Sequence, residues 1–370
     1  MAPPRKITPR PLVPSAIVRA TESKAGGGRK RRVLVEESRR MIADGSKSFA
    51  AASRLFDKPT RERVWMLYAW CRRCDDIADG QMLGGELGIA DGGEDTAPDA
   101  AAVETRVKAI RVLTRRALEG QPTADIAFDA FGKVAQECGL TMQMAEDVIG
   151  GFELDAAGWR PRTEADLARY CYHVAGAVGV MMAQIMGVPK DDADTLDRAC
   201  DLGFAFQLAN IARDLDEDDR GGRCYLPVEW MVEQDIEPGQ LMKPHHRWEV
   251  AEMAEQLVLK MERHTAAAKL GAARLPFRRR WAILAAANIY GEIGQEVRRR
   301  GRAAWDSRVV ISKAQKAQLV AQAFVEAVRN NPVPPEKMPK WKRGDIVLDI
   351  RMSQPIPAAE AYTALPDDDL

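Results

Sequence analysis

The chain has 370 residues, which is enough for one large domain or two ordinary ones. Hydrophobic residues make up 46% of it and aromatic residues 6%, a balance that favours an aliphatic helical core over an aromatic β-sandwich core. Lys and Arg together number 54, as do Asp and Glu, so the formal net charge is zero. Without a basic excess we expect no nucleic-acid partner.

Both ends of the chain are predicted to be irregular. Residues 1–33 are rich in Pro, Gly, Lys and Arg, which predicts a disordered basic tail, either solvated or drawn to an anionic membrane surface. Residues 330–370 are Pro-rich and predict a second irregular segment. The longest apolar run, 174–188, is interrupted by glycines and a glutamine, so we expect no membrane span, and the N-terminus has no apolar core of a signal peptide.

Between these ends the pattern is helical throughout. Apolar residues recur at steps of three and four, as in Val64, Leu67, Tyr68 and Cys71, and no alternating strand pattern is present. We therefore predict one all-α domain over residues 34–329, with an acidic, Gly-rich loop at 84–100. The predicted helices span residues 35–56, 60–83, 103–119, 123–138, 141–156, 163–187, 191–219, 246–271, 275–301 and 312–329.

The first chemically informative segment holds Asp75 and Asp79, four residues apart. On a helix this spacing puts both carboxylates on one face, with Cβ atoms about 5–6 Å apart, where like charges weaken the helix unless a cation lies between them. Hard divalent ions such as Mg²⁺ prefer carboxylate and phosphate oxygens. A solvated acidic helix face is the simpler interpretation of this segment taken alone.

A second segment makes the metal interpretation stronger. Gln207, Asn210, Asp214 and Asp218 follow at steps of three, four and four, so they share one side of a helix whose other residues are largely apolar. Inward amides need polar partners, because buried and unsatisfied amides are costly. Two such faces predict a cavity with carboxylates on opposite walls, where Mg²⁺ could neutralise the charge of a departing diphosphate.

Six cysteines are scattered along the chain, mostly within apolar helical patterns, which indicates reduced thiols in a cytosolic protein. Cys71 and Cys74 form a C-x-x-C pair, but no second pair with zinc-site spacing accompanies it. We therefore do not expect a zinc or redox centre there.

An apolar segment between the two acidic faces, Tyr170–Gly187, is interrupted by glycines at 176 and 179. A glycine in a helix interior costs about 1 kcal/mol relative to alanine, which is explained if a ligand or a neighbouring helix approaches closely. His173 within it fits a satisfied structural histidine better than a catalytic one.

Taken together, several motifs resemble the squalene and phytoene synthase family, most closely its bacterial phytoene synthases. The resemblance covers residues from about 40 to 320 and rests on Ser46–Phe49, Asp75–Asp79, Tyr170–Gly179, Asn210–Asp218, Gly222–Pro227 and Tyr290–Ile293. It implies an isoprenoid-synthase helical bundle around a central apolar cavity. It also implies that two geranylgeranyl diphosphates are joined head to head, through a cyclopropyl diphosphate, to give phytoene for carotenoid biosynthesis.

The resemblance also implies roles for individual residues. Metal ligands, with Asp76 in support, would be Asp75, Asp79, Asn210, Asp214 and Asp218. Diphosphate contacts would come from Ser46, Ser48, Arg72, Arg213 and Arg223. The walls near the reacting carbons would include Tyr68, Tyr170, Gln207 and Tyr290, and the chain-binding channel would be flanked by Val174, Val178 and Met182. Among these, Asp75, Asp79, Asp214, Asp218, Tyr170 and Arg72 would be the catalytic set.

The same resemblance implies Mg²⁺, with Mn²⁺ as an alternative, and no NADPH. Its hydrophobic substrates and product lead us to expect a cytoplasmic enzyme in peripheral contact with a membrane, handing its product to other carotenoid enzymes. Three alternatives stay open: a squalene-type or dehydrosqualene-type synthase that uses farnesyl diphosphate, a class I terpene cyclase, and a non-catalytic relative that acts in assembly or lipid binding.

Overall fold

A computed structural model of the chain describes residues 24–45, 50, 52–78, 100–237, 239–330 and 342–346. The described residues form helices and turns and no strand, which confirms the all-α prediction. The α-helices are α1 (Arg31–Gly45), α2 (Lys58–Ala78), α3 (Ala100–Leu118), α4 (Ile126–Cys138), α5 (Met142–Ala156), α6 (Glu164–Cys171), α7 (Ala177–Ile185), α8 (Ala193–Arg220), α9 (Val228–Glu233), α10 (Arg247–Ala273), α11 (Phe277–Arg300) and α12 (Lys313–Arg329).

Most predicted helices agree with the structure to within a few residues, but the first does not. The helix predicted for residues 35–56 is wrong at its C-terminal end, because residues 54–56 form a turn; α1 ends at Gly45, residues 50, 52 and 53 are helical, and residues 46–49 and 51 lie outside the described residues. The helix predicted for residues 60–83 is α2, and residues 79–99, which include the predicted acidic loop, lie outside the described residues.

The N-terminal boundary of the predicted domain needs a correction. Arg29 and Arg31 were assigned to the basic tail, yet Arg29 forms an ion pair with Asp129 at 2.8 Å and Arg31 with Glu137 at 2.7 Å. These pairs attach residues 24–33 to the helical domain, because the two largely buried carboxylates need the guanidinium groups as charge partners. Residues 1–23 lie outside the described residues.

The C-terminal segment also has a described part, at residues 342–346. Ile346 packs against the main core, and Arg343 lies 3.7 Å from Asp197 at the start of α8. Residues 331–341 and 347–370 lie outside the described residues. Within the described ranges, no helix combines the length and the apolar character that a membrane crossing requires.

The centre of the domain is α8, which packs against α7, α10 and α11. Glycines permit the closest of these contacts: a Cβ added at Gly203 of α8 would overlap the backbone carbonyl of Ala175, and one added at Gly179 of α7 would overlap that of Ala199. The glycines of the Tyr170–Gly187 segment therefore serve helix–helix packing, the second of the two explanations that the sequence allowed.

A π-helical turn, Tyr172–Gly176, joins α6 to α7. The N–H of Ala177 bonds to the carbonyl of Tyr172, five residues back, so the turn widens the helix by one residue. His173 lies inside this turn, and its Nδ1 is 2.5 Å from the backbone carbonyl oxygen of Asp147, which agrees with the structural role expected of it.

Candidate active site

Helices α2, α7, α8, α10 and α11 enclose an apolar cavity of about 390 Å³. Along α8 its lining runs from Thr195 to Asn210, a distance of about 22 Å at 1.5 Å per residue. Seven of the residues predicted to lie near substrate share this lining, although their contact with substrate stays a prediction: Tyr68, Val174, Val178, Met182, Gln207, Asn210 and Tyr290.

The first acidic face lies at the end of α2, one helical turn beyond the cavity-lining Cys71. Arg72 bridges its two described carboxylates: one guanidinium nitrogen lies 3.0 Å from Asp75 and another lies 2.8 Å from Asp76. Asp79 lies outside the described residues. The cavity lining therefore ends about one helical turn before the predicted metal-binding residues of α2.

The second acidic face continues α8 beyond the cavity-lining Asn210, with Asp214 one turn on and Asp218 two turns on. The Arg213 Nε donates to the Asp214 carboxylate at 2.7 Å. A guanidinium nitrogen of Arg308 lies 3.0 Å from the same carboxylate and also contacts Glu217. Sequence reasoning missed Arg308, because it lies in an irregular segment far from α8 along the chain.

A third carboxylate, Asp155 on α5, links the two acidic faces. Burial raises its pKa to about 6, against the lowering effect of two phenol donors, Tyr225 and Tyr170, each 2.9 Å from Oδ1. Nearby Arg223 lowers this pKa and Asp75 raises it. Asp155 is close enough to α2 and to the loop after α8 for their charges to act on it, so the two acidic faces lie at the same end of the domain.

Asp218 shows the crowding of negative charge at this site. Burial, together with the neighbouring carboxylates of Asp214 and Asp155, raises its pKa to about 7, while Arg223 opposes them. Carboxylates this close together favour a cation between them, since ionisation of one raises the energy of ionising the next.

Tyr170, predicted to face the reacting carbons, is buried next to Asp155 and is not among the lining residues of the cavity. Its ring stacks on that of Tyr225 with centroids 4.6 Å apart. Tyr225 and Asp155 are the further residues that sequence reasoning did not select. Tyr225 lies inside the recognised Gly222–Pro227 motif, but Asp155 is a single acid with no spacing signal.

Tyrosines and an aromatic stack close the cavity near the acidic end. The rings of Tyr290 and Phe206 stack with centroids 3.9 Å apart. Burial raises the pKa of Tyr290, and the nearby Arg213 guanidinium opposes this rise. The Tyr68 hydroxyl lies against Gly45 at the end of α1. Ser46 and Ser48, the predicted diphosphate contacts that follow Gly45, lie outside the described residues.

The donor set suits a hard divalent cation, because it consists of carboxylates with one amide. Within the described ranges, no three carboxylate, imidazole or thiol side chains converge on a single point. Each face therefore offers part of a coordination shell, which Mg²⁺ typically completes with water and substrate phosphate oxygens.

The C-x-x-C pair does not have the environment of a redox or metal site. Cys74 is fully buried, and burial raises the pKa of the Cys71 thiol to about 12. Reactive cysteines and metal ligands need a lowered thiol pKa, so both side chains act as apolar packing groups.

Solved structures with this fold support the fold class. A dehydrosqualene synthase in complex with a ligand matches with a TM-score of 0.69 and 25% identity, covering 81% of this chain and 98% of that one. A squalene synthase from Alicyclobacillus acidocaldarius matches with a TM-score of 0.61 and 22% identity, covering 75% and 98%. The fold is therefore the all-α isoprenoid-synthase fold.

Sequence comparison then defines the family. The squalene/phytoene synthase family matches residues 42–315. A phytoene synthase of Pseudescherichia vulneris is 42% identical over 84% of this chain and 98% of its own length. A 15-cis-phytoene synthase of Enterobacter agglomerans is 44% identical over 81% and 98%. The chain belongs to the squalene/phytoene synthase family.

Proposed function

We propose that this chain is a prenyltransferase that condenses two geranylgeranyl diphosphates head to head, through a cyclopropyl diphosphate, to 15-cis-phytoene, the entry step of carotenoid biosynthesis. The observation that carries the proposal is the meeting of two acidic helix faces, linked through Asp155, at one end of a long apolar cavity. The relatives named phytoene synthase favour the C20 substrate over the C15 one.

In this proposal Mg²⁺, or Mn²⁺ in its place, is held by the two acidic faces, with Asp76 in support of the first. Its ligands are Asp75, Asp79, Asn210, Asp214 and Asp218. The bound cations supply charge neutralisation for the leaving diphosphate. The carboxylates of each face would provide anchoring ligands, and Mg²⁺ would take its remaining oxygen ligands from water and the substrate's phosphates.

The cationic side chains among these carboxylates bind the diphosphate. Arg72, Arg213 and Arg223 were expected from the sequence, together with Ser46 and Ser48. Arg308 joins them, because its guanidinium reaches Asp214 from the segment after α11. Guanidinium groups suit this task, since their planar donors match phosphate oxygens.

The apolar cavity holds the two hydrocarbon chains and excludes water from the carbocation. Val174, Val178 and Met182 line it on the α7 side. Tyr68, Gln207 and Tyr290 lie where the lining approaches the acidic faces. Tyr170 acts from behind this wall through its hydrogen bond to Asp155 and thereby holds the carboxylate between the two faces.

The decisive experiment incubates the purified chain with geranylgeranyl diphosphate and Mg²⁺ and identifies the lipid product. We expect phytoene without NADPH, and loss of at least about 100-fold in turnover in both Asp75→Ala and Asp214→Ala. Asp216→Ala is the matched control, because Asp216 lies on α8 but pairs with Arg220. Full activity of an Asp75→Ala/Asp214→Ala variant would contradict the proposed metal site.

A parallel incubation with farnesyl diphosphate, with and without NADPH, tests the shorter substrate, as in the dehydrosqualene and squalene synthases with the same fold. Faster turnover of the C15 substrate would replace our assignment, and a cyclic product from one substrate molecule would indicate a terpene cyclase.

We also propose a cytoplasmic location with peripheral membrane contact and transfer of the product to later carotenoid enzymes, because the product is a hydrocarbon.

A further inference from the structure

An exposed apolar patch lies where α11 begins and α12 ends. Phe324, Val325 and Val328 of α12 are 43%, 44% and 60% exposed, and Phe277 of α11 is 39% exposed. The Phe324 ring meets Phe277 edge-on at 5.5 Å and Trp281 at 5.2 Å, so these side chains form one surface. We call Phe277, Trp281, Phe324, Val325 and Val328 the α11–α12 patch.

This patch borders the side of α12 that packs on the domain, and Trp281 contacts both. Ala323 and Ala327 are fully buried against Leu284, Ala285 and other small core residues. The helix is therefore apolar on two sides, and only one of them is covered by the described domain. Contiguous apolar surface of this kind marks an interaction site more often than isolated exposed residues do.

The charges around the patch are mainly positive. Arg278 and Arg329 are exposed and are sequence neighbours of Phe277 and Val328. The single acid of α12, Glu326, is bound by Lys269 and Asn288 of the domain. Aromatic and aliphatic groups edged by Lys and Arg fit the interface of a membrane with anionic lipids.

The patch also lies next to the end of the cavity remote from the acidic faces. Arg274, just before α11, donates to the Thr195 hydroxyl at 3.0 Å, and Thr195 lines the cavity about 22 Å along α8 from Asn210. Ala272 and Ile283 line this part of the cavity and also belong to the cluster beneath α12. A thin layer of core residues therefore separates the cavity from the patch.

We propose that the α11–α12 patch seats on the surface of an anionic lipid bilayer, so that a hydrocarbon product leaves the remote end of the cavity into lipid while the diphosphate end faces water. That the product is a hydrocarbon rests on the proposed function. The identity of the docking surface itself rests on exposure, charge and position.

Vesicle co-sedimentation of the full-length protein tests the surface. The vesicles are phosphatidylcholine with and without phosphatidylglycerol, and the variant is Phe324→Glu/Val328→Glu. The control is Val112→Glu/Val232→Glu, which adds the same two charges at exposed apolar positions of α3 and α9. We expect binding to phosphatidylglycerol vesicles to fall at least about tenfold in the patch variant and less than about twofold in the control.

Two outcomes would overturn the inference: equal binding by the wild type and the patch variant, or equal loss in both double variants. A change in oligomeric state of the patch variant without vesicles would also overturn it, in favour of a second copy of the chain as the occupant. Turnover in detergent, where the patch variant should match the wild type, is measured separately. Absence of wild-type turnover there would contradict the proposed function and leave the vesicle result unaffected.

Discussion

At the acidic end of the cavity, Asp155 combines a buried carboxylate with two phenol donors, and burial outweighs the donors, so its pKa rises from 3.8 to about 6. The folded state therefore binds more protons than the unfolded state between these two values. Any stabilisation from this group is fully present below about pH 4 and is lost as the pH rises through about 6.

Asp155→Asn removes this titration, so the variant should gain stability relative to the wild type as the pH rises. In metal-free buffer we expect the two proteins to have similar free energies of unfolding near pH 4. At pH 8 the free energy of unfolding of the variant should be higher by up to about 3 kcal/mol, which appears as a higher melting temperature. Tyr225→Phe is the matched control, because losing a donor should move the wild-type transition to higher pH. A stability difference that is constant across this range would disprove the argument.

A second residue-scale prediction concerns the buried pair Arg198 and Asp201, which are 2% and 0% exposed. The Arg198 Nε lies 3.1 Å from the carboxylate, and His264 contacts the other carboxylate oxygen at 2.6 Å. Asp201→Ala removes the carboxylate and leaves the guanidinium charge buried, so we expect the free energy of unfolding, measured with urea, to fall by about 3–5 kcal/mol. Glu36→Ala breaks an exposed pair with Arg40 and should change stability by less than about 1 kcal/mol. Equal losses of stability in the two variants would mean that the Arg198 guanidinium becomes hydrated when Asp201 is removed.

At the scale of helices, the contact between α7 and α8 sets the shape of the cavity. Val174, Val178 and Met182 line the cavity only because the glycines on these two elements let the backbones approach. A side chain between them would move the π-turn and α7 away from α8, since tightly packed interiors have little room to adjust.

Gly203→Ala should therefore be strongly destabilising, by about 1–3 kcal/mol or more, because its Cβ would meet the Ala175 carbonyl. The measurement is chemical denaturation with the linear-extrapolation slope compared between variants. Gly291→Ala on α11 is the control: within the described part of the chain, no atom beyond its own stretch of helix lies within 4 Å of the added Cβ, so we expect a gain of about 0.4–1 kcal/mol. A stable Gly203→Ala protein would show that α7 and α8 are less tightly held than this packing implies.

Local periodicity explains how much of these elements the sequence could predict. The spacing of Asp214 and Asp218 beyond Asn210 puts them on one helix face, which follows from helix geometry alone. The link through Asp155 could not be predicted in this way, because Tyr225 donates to it across 70 residues of chain. Arg308 escaped prediction for the same reason: only the tertiary fold brings it to Asp214. The turn at residues 54–56 was missed because apolar periodicity continues through Leu55 and Phe56.

At the scale of the whole molecule, the site is polarised along α8. Carboxylates and arginines lie at its C-terminal end, the apolar lining extends back to Thr195, and the α11–α12 patch lies beyond. Under the proposed function, this order would place the charged half of a prenyl diphosphate at one end of the domain and its hydrocarbon at the other. Two helices that are far apart in the sequence, α2 and α8, form the charged end, so ligand binding there should stabilise the domain as a whole.

Thermal unfolding with Mg²⁺ and inorganic diphosphate tests this linkage without any turnover. We expect the two together to raise the melting temperature and neither alone to match them, because the ions of each acidic face need phosphate oxygens to complete their coordination. At about 100 times the dissociation constant the gain is about 2.7 kcal/mol, which corresponds to roughly 4–5 °C for a domain of this size. Asp75→Ala and Asp214→Ala should each remove most of the shift, whereas Asp216→Ala, whose partner is Arg220, should keep it. A full shift in either of the first two variants would mean that the opposing face binds metal and diphosphate unaided, and the two helices would then not share a site.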